Sequence, residues 1–257
     1  MRFAGLVEYD GTGFSGWARQ PGERTVEEEL SRALRTVLRQ PVRLTAAGRT
    51  DAGVHASGQV VSFEAKTGLS PEAIAYKASA VLPEDVALRR CVRAPVGFDA
   101  RRDAVSRSYE YRILNAPVRS PLLRHRAVHV GWRPDFGLLR EAAALVLGAH
   151  DFRAFTPAKS HHVHFERLVS ESRWERRGDL LVYRITADAF LYNMVRALVG
   201  TMLEVARGRR DLASFEKLLK GAHRAEGGPT APARGLTLVR VRYAVEEVEE
   251  MLWTPGF

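Results

Sequence analysis

Gly48-Arg49-Thr50-Asp51-Ala52-Gly53-Val54-His55-Ala56 is a polar nonapeptide set between two strand-like runs, residues 42–47 and 59–64. Both runs are rich in Val, Leu, Thr or Phe and are bounded by Pro or Gly, the pattern of β-strands. Gly48 and Gly53 open backbone angles closed to other residues, so the loop can press against a ligand. Working outward, residues 2–8 read as a strand, and residues 25–40 as a helix with an apolar stripe of Val26, Leu30, Ala33, Leu34, Val37 and Leu38. Thr25, with Glu28 three residues on, has the pattern of a capping box. Ser70-Pro71 starts a second helix with proline at its first position, and residues 86–92 close the half as a strand. The order is β-α-β-β-α-β, the ferredoxin-like pattern.

The second half repeats it. Residues 108–114 read as a strand and 136–147 as a helix. Residues 168–175 and 180–187 form a hairpin around Arg177-Gly178-Asp179. A strong helix follows over 191–207, then an extra helix capped by Asp211, then the closing strand Leu236–Tyr243. Residues 222–234, rich in Gly, Pro and Ala, read as a loop. The fold class expected is mixed α/β (α+β): two ferredoxin-like, RRM-like halves in pseudo-symmetry around a central active-site cleft. Residues 1–100 form an N-terminal domain carrying the Asp51 loop, and 101–257 a C-terminal domain completing the site.

Composition narrows the class. The 257 residues are 46% hydrophobic and 27% charged, those of a soluble globular protein with a real core. The formal charge is +9, which points to a polyanionic partner, because Lys and Arg displace the counterions of phosphates. Lysine supplies five of the 39 basic residues and arginine the rest; arginine suits bidentate phosphate contacts, although such a bias also arises from codon composition. The lone Cys91 excludes an internal disulfide and a cysteine-based zinc site. No apolar run approaches the roughly 20 residues that span a bilayer, and the N-terminus lacks a signal-peptide layout, so a cytoplasmic protein without membrane contact is expected.

Taken alone, Asp51 reads as a turn residue making an Asx-type bond, or as half of an exposed pair with Arg49. The whole nonapeptide, however, closely resembles the signature loop of the TruA family of tRNA pseudouridine synthases, whose single Asp is catalytic. The resemblance continues from the opening motif Tyr9-Asp10-Gly11-Thr12-Gly13-Phe14-Ser15-Gly16-Trp17-Ala18-Arg19-Gln20 through Phe98-Asp99-Ala100-Arg101, Arg107-Ser108-Tyr109-Glu110-Tyr111 and Asp151-Phe152-Arg153-Ala154-Phe155. It runs on through Phe190-Leu191-Tyr192-Asn193-Met194-Val195-Arg196, Gly228-Pro229-Thr230-Ala231-Pro232 and Gly235-Leu236-Thr237-Leu238. The blocks follow the family's order and span nearly the whole chain.

The resemblance implies a catalytic set of Asp51, Tyr109 and Arg196 and a substrate-binding set of Arg49, Leu236, Tyr9 and Arg101, with no metal and no cofactor. Pseudouridine formation breaks the N1–C1′ bond of uridine and joins C5 of the base to C1′, which requires no redox step. Asp51 is the candidate for the carboxylate that attacks or deprotonates the ribose or base. Whether it attacks C1′ or C6, or takes the C2′ proton, the sequence leaves open. A pocket enclosing a flipped base would raise its pKa by desolvation, and the guanidinium of Arg196 would oppose this. By helical spacing alone Arg196 lies at the border of an apolar stripe and reads as a flanking arginine; the family makes it the partner of the Asp. Arg49 corresponds to the arginine that extrudes the base and fills its place, a role some residue must take because unstacking costs a few kcal/mol. Tyr109 corresponds to the tyrosine that stacks on the base and takes the C5 proton, although a strand Tyr beside Tyr111 also reads as core. Leu236, with Leu238, corresponds to the residues that wall the uracil.

The implied substrate is uridine 38, 39 or 40 in the anticodon stem-loop of tRNA, bound by a homodimer. Two other classes compete with this reading. A non-catalytic RNA-binding module of the RRM type should show an aromatic RNP strand, which is absent. A hydrolase or phosphotransferase using Asp51 would want several carboxylates for magnesium, and the loop supplies one. His161, His162 and His164 cluster without cysteine or helical i, i+4 spacing, so they read as a flexible or RNA-facing loop rather than a metal site. His55 reads as structural.

Overall fold

The computed structural model describes residues 1–159 and 163–253, so His161 and His162 lie outside the described residues. The fold is mixed α/β. The chain forms two compact units, Met1–Ser106 with the described part of Leu238–Phe257, and Arg107–Thr237.

In the first unit, β1 (Arg2–Tyr9) leads to α1 (Val26–Leu38), the short β2 (Thr45–Ala46), β3 (His55–Glu64), α2 (Pro71–Val81) and β4 (Val86–Arg93). β1 lies between β4 and β3, antiparallel to both, and β2 pairs with β3 at Thr45↔Ser62. This is the expected β-α-β-β-α-β order, with β3 starting at His55 rather than Gln59. The register sets Phe3 opposite Phe63, and their rings stack at 5.4 Å. Leu30 and Leu34 of α1 and Ile74 of α2 are fully buried, each contributing roughly 1.5–3 kcal/mol by burial. Ser70 caps α2, its side chain accepting from the Ala73 N–H.

The capping box expected at Thr25 and Glu28 does not form. Among the described residues Thr25 Oγ1 has no hydrogen-bond partner, and Glu28 pairs with Arg19. The first donors of α1 go to backbone instead: the N–H of Val26 to Gly16 O (3.2 Å) and that of Glu27 to Trp17 O (3.0 Å). Carbonyls of the opening motif already satisfy the helix end, so no side chain is needed.

In the second unit, β5 (Ala104–Leu114) is followed by the short β6 (Val128–His129), α3 (Phe136–Leu145), β7 (Gly148–Asp151), β8 (Glu166–Arg177), β9 (Leu180–Ala187), α4 (Met194–Ala206) and α5 (Leu212–Leu218). β5 pairs with β9, β9 with β8 and β8 with β7, all antiparallel. The β8–β9 hairpin closes tightly, with Arg177 opposite Leu180 and Gly178 at φ +59°. On one face Trp174 stands opposite Tyr183, and Ser172 Oγ meets both the Tyr183 hydroxyl and Ala143 O of α3 at 2.8 Å. On the other, Glu110 is held by Arg112 and Arg184. Burial pushes that carboxyl up, but hydrogen bonds from the two guanidinium groups prevail and hold it below the usual range.

The expected helix over 191–207 starts later, at Met194, because Asn193 takes a left-handed backbone conformation (φ 62°, ψ 3°). α4 is also buried on more than one stripe: Gly200 and Thr201 are covered as fully as Leu198. Asp211 caps α5 as expected, its side chain accepting from the Ser214 N–H at 2.6 Å. β10 (Leu236–Tyr243) has the expected bounds, and α6 (Glu246–Trp253), which the sequence reading did not anticipate, follows it. Among the described residues no helix is long and apolar enough to cross a membrane.

Candidate active site

The Asp51 loop of the first unit is fastened by its neighbours as well as by its own turn. Gln59, fully buried in β3, donates Nε2–H to Gly48 O at 2.7 Å. The Tyr9 hydroxyl, at the end of β1, meets Thr50 Oγ1 at 2.7 Å. The Trp17 N–H donates to Thr50 O (3.0 Å), the Gly53 N–H to Phe14 O (3.3 Å) and the Val54 N–H to Asp51 O (3.1 Å). Thr50 therefore points inward, Asp51 is half-buried, and Arg49 is exposed.

Two glycines of the opening motif explain how closely the strands of this cradle approach. A Cβ on Gly11 would overlap the Val54 carbonyl, and one on Gly16, whose φ is +99°, would lie 2.9 Å from Thr50 O. No other residue fits either place without moving the loop. His55, fully buried, accepts the Gly11 N–H on Nδ1 at 3.0 Å and ties the same motif to β3.

Tyr9 itself is buried. Burial pushes its hydroxyl far above the usual range, opposed by hydrogen bonds with Thr50 and Gln59, so it stays neutral and touches the loop through Thr50. Arg101 is exposed on a separate turn of the same unit. Asp99 builds that turn, its Oδ1 accepting the N–H groups of Arg101 and Arg102, each at 2.9 Å. Ala100 is pinned from both sides: its N–H donates to Ser62 Oγ (3.0 Å) and its carbonyl accepts from the Tyr243 hydroxyl (2.8 Å).

The second unit holds the other candidates. Tyr109 is buried on β5 with its ring edge-on to Phe190, centroids 5.0 Å apart. Tyr111, on the same face two residues along, donates its hydroxyl to Pro232 O at 2.8 Å. Its pKa is raised by burial, with Arg196 and Arg234 pulling the other way. Arg196 on α4 is half-buried, with Nε donating to Ala231 O (2.8 Å) and Nη1 to Asn193 Oδ1 (2.7 Å). Leu236, at the start of β10, is buried. Tyr111, Arg196 and residues 228–236 thus form one packed corner: a Cβ on Gly235 would lie 2.7 Å from the Tyr111 ring, and one on Gly200 would overlap the Pro229 carbonyl.

Gln59, Thr50 and Asn193 were not among the residues singled out from sequence. Gln59 carried a signal, being an amide next to the Val60-Val61 pair in an apolar strand. Asn193 carried less, because the apolar stripe ran on through Leu191. Among the described residues no group of three His, Cys, Asp or Glu side chains could hold a metal ion.

Comparison with known proteins places these features in a family. The tRNA pseudouridine synthase family profile matches residues 6–101 and 142–244. The chain is similar to the tRNA pseudouridine synthase A of Acetivibrio thermocellus, 37% identical over 93% of this chain and 98% of the relative. It is similar to the protein of that name from Methylobacterium nodulans, 41% identical over 99% of both chains. A third, from Geobacillus kaustophilus, is 40% identical over 96% of both. With more than half of its length matched, and with relatives at this identity covered almost end to end, the chain belongs to the tRNA pseudouridine synthase family, enzymes that isomerise uridine to pseudouridine.

Proposed function

We propose that this enzyme converts uridine to pseudouridine at positions 38, 39 and/or 40 of the tRNA anticodon stem-loop, with Asp51 as its catalytic carboxylate. The observation that carries the reading is the fastening of residues 48–54 by Tyr9, Gln59, Trp17 and Phe14, which leaves the Asp51 carboxylate on a stiff loop. Preorganised groups of this kind act without reorganising as the reaction proceeds.

In this reading the target base leaves the stem, and Arg49, exposed two residues before Asp51, fills the space it vacates. Asp51 acts on the ribose or base as the N1–C1′ bond breaks. Arg196 partners the carboxylate. The freed uracil turns between Tyr109 and Leu236 until C5 meets C1′. The C5–C1′ bond forms, Tyr109 takes the C5 proton as its own hydroxyl proton is passed on, and N1 gains one proton for the one C5 loses, so the product is an isomer. Tyr9 and Arg101 serve substrate binding, Tyr9 by setting the loop and Arg101 from the turn that Asp99 builds. The enzyme works as a cytoplasmic homodimer whose tRNA spans both subunits, held through phosphates by an arginine-rich surface.

The test uses tRNAs labelled with [5-³H]uridine that keep a single uridine at position 38, 39 or 40. Tritium release from these, with none from a tRNA lacking uridine at all three, is expected. Release from the tRNA lacking all three would move the target elsewhere.

A further inference from the structure

Asn193 occupies the position that should cap α4, yet its side chain makes no bond to the helix end. Its backbone lies in the left-handed region, φ 62° and ψ 3°, which among non-glycine described residues only Arg39 shares. Asparagine enters this region more easily than most side chains. What the conformation achieves is visible three residues on: Oδ1 accepts a hydrogen bond from Nη1 of Arg196 at 2.7 Å.

The other edge of the same guanidinium is held by backbone. Arg196 Nε donates to Ala231 O at 2.8 Å, and the Ala231 N–H returns to Arg196 O at 3.0 Å. The strand of chain carrying Ala231 is itself fixed on α4, with the Gly228 N–H on Thr201 Oγ1 at 3.1 Å and Pro229 seated against Gly200. A guanidinium is planar, with five donors in a rigid fork. One acceptor at Nε and a second at Nη1 define both its place and its plane.

We propose that Asn193 is the positioning residue of Arg196: the cap carbonyl is diverted from the helix end to set the orientation of the guanidinium. This rests on the reading of Arg196 as partner of the catalytic carboxylate. It is distinct from a turn role, because glycine supplies φ +62° equally well but has no acceptor. Asn193→Gly therefore removes the carbonyl and keeps the turn, while Asn193→Asp keeps an acceptor in place.

Steady-state tritium release from [5-³H]uridine tRNA, measured for the native protein, both variants and the pair Arg196→Lys and Arg196→Lys/Asn193→Gly, tests the proposal. Asn193→Gly should lower kcat by about 30-fold with KM unchanged, the size expected for a misplaced catalytic partner. Asn193→Asp should stay within about threefold of native. In the Arg196→Lys background, adding Asn193→Gly should change kcat by less than about twofold, because the two residues act as one unit. A native kcat in Asn193→Gly, or an equal loss in both backgrounds, would overturn it. If the native protein itself releases no tritium, the catalytic reading has failed, and solvent exchange of the Arg196 Nε–H, followed by NMR, still decides the positioning. Faster exchange in Asn193→Gly and near-native exchange in Asn193→Asp is expected, and identical exchange in all three would contradict it.

Discussion

The loop carrying Asp51 and the helix end carrying Arg196 are held by different means. In the first unit a flexible, glycine-bracketed segment becomes rigid because buried side chains reach into it: Tyr9 onto Thr50 and Gln59 onto Gly48. In the second unit the support is regular, a well-buried helix, and the acceptors come from a strained asparagine and from the carbonyl of Ala231. Both regions depend on a glycine where two backbones nearly touch, Gly11 against Val54 and Gly200 against Pro229. The difference teaches where specificity is stored. A loop needs partners from the core to be stiff, whereas a helix side chain needs only its head fixed, because its root is already fixed.

The largest expected effects come from those glycines. Gly11→Ala and Gly200→Ala should each destabilise their unit by about 1–3 kcal/mol through overpacking against backbone that cannot turn aside. Gly11→Ala should also cost about 100-fold in tritium release, since it displaces the segment bearing Asp51. Thermal melts that match the native protein would show that the two contacts can yield, and would break the comparison. Next in size is Tyr9→Phe, which removes the hydroxyl bonded to Thr50 and should cost about 1 kcal/mol, as a buried hydrogen bond does. Activity should fall with stability there; a loss of activity without any loss of stability would give Tyr9 a direct part in the chemistry.

These contrasts explain what the sequence could disclose. The bounds of β10, the caps at Ser70 and Asp211 and the β-α-β-β-α-β order of the first unit all follow from local chemistry: alternation, capping residues and proline placement. The loop around Asp51 stood out because glycine, arginine and aspartate together are poor core material, but on local chemistry alone Asp51 reads as a turn residue, and only the resemblance of the whole nonapeptide to a family signature made it a catalytic candidate. Its fastening was not, because Gln59 and Tyr9 act across strands that only the pairing brings together. The start of α4 was misplaced for a similar reason: Leu191 fits the apolar stripe, and only the left-handed turn at Asn193 separates it from the helix. Thr25 and Glu28 spelled a capping box, but carbonyls from residues 16 and 17, distant in the pattern, reached the helix end first. α6 was missed because acidic residues dominate it and only Val248 and Leu252 are buried.

A smaller effect depends on pH. Hydrogen bonds from Arg173 and then Arg177 hold Glu175 in the second unit at about 2, against an ordinary value of 4.5. A carboxyl whose folded pKa is depressed stabilises the fold above its unfolded value, and that contribution is lost as pH falls toward the folded one. The native Tm should therefore fall between pH 4.5 and about 2, and Glu175→Gln should fall less steeply over that window. Parallel curves would show that the ion pairs contribute nothing. The smallest expected effect is at Thr25. Because its hydroxyl caps nothing, Thr25→Val should change stability by less than about 0.5 kcal/mol, whereas loss of a true cap costs about 1 kcal/mol. A loss of that size would restore the cap.

The central claim is that the loop fastened by Tyr9 and Gln59 presents the catalytic carboxylate. Tritium release from [5-³H]uridine tRNA by the native protein and by Asp51→Asn, which keeps the shape and removes the charge, tests it most directly. Release by the native protein and none by the variant, with tRNA binding retained, is the predicted result. Release by Asp51→Asn at the native rate would contradict the account and move the chemistry to another group.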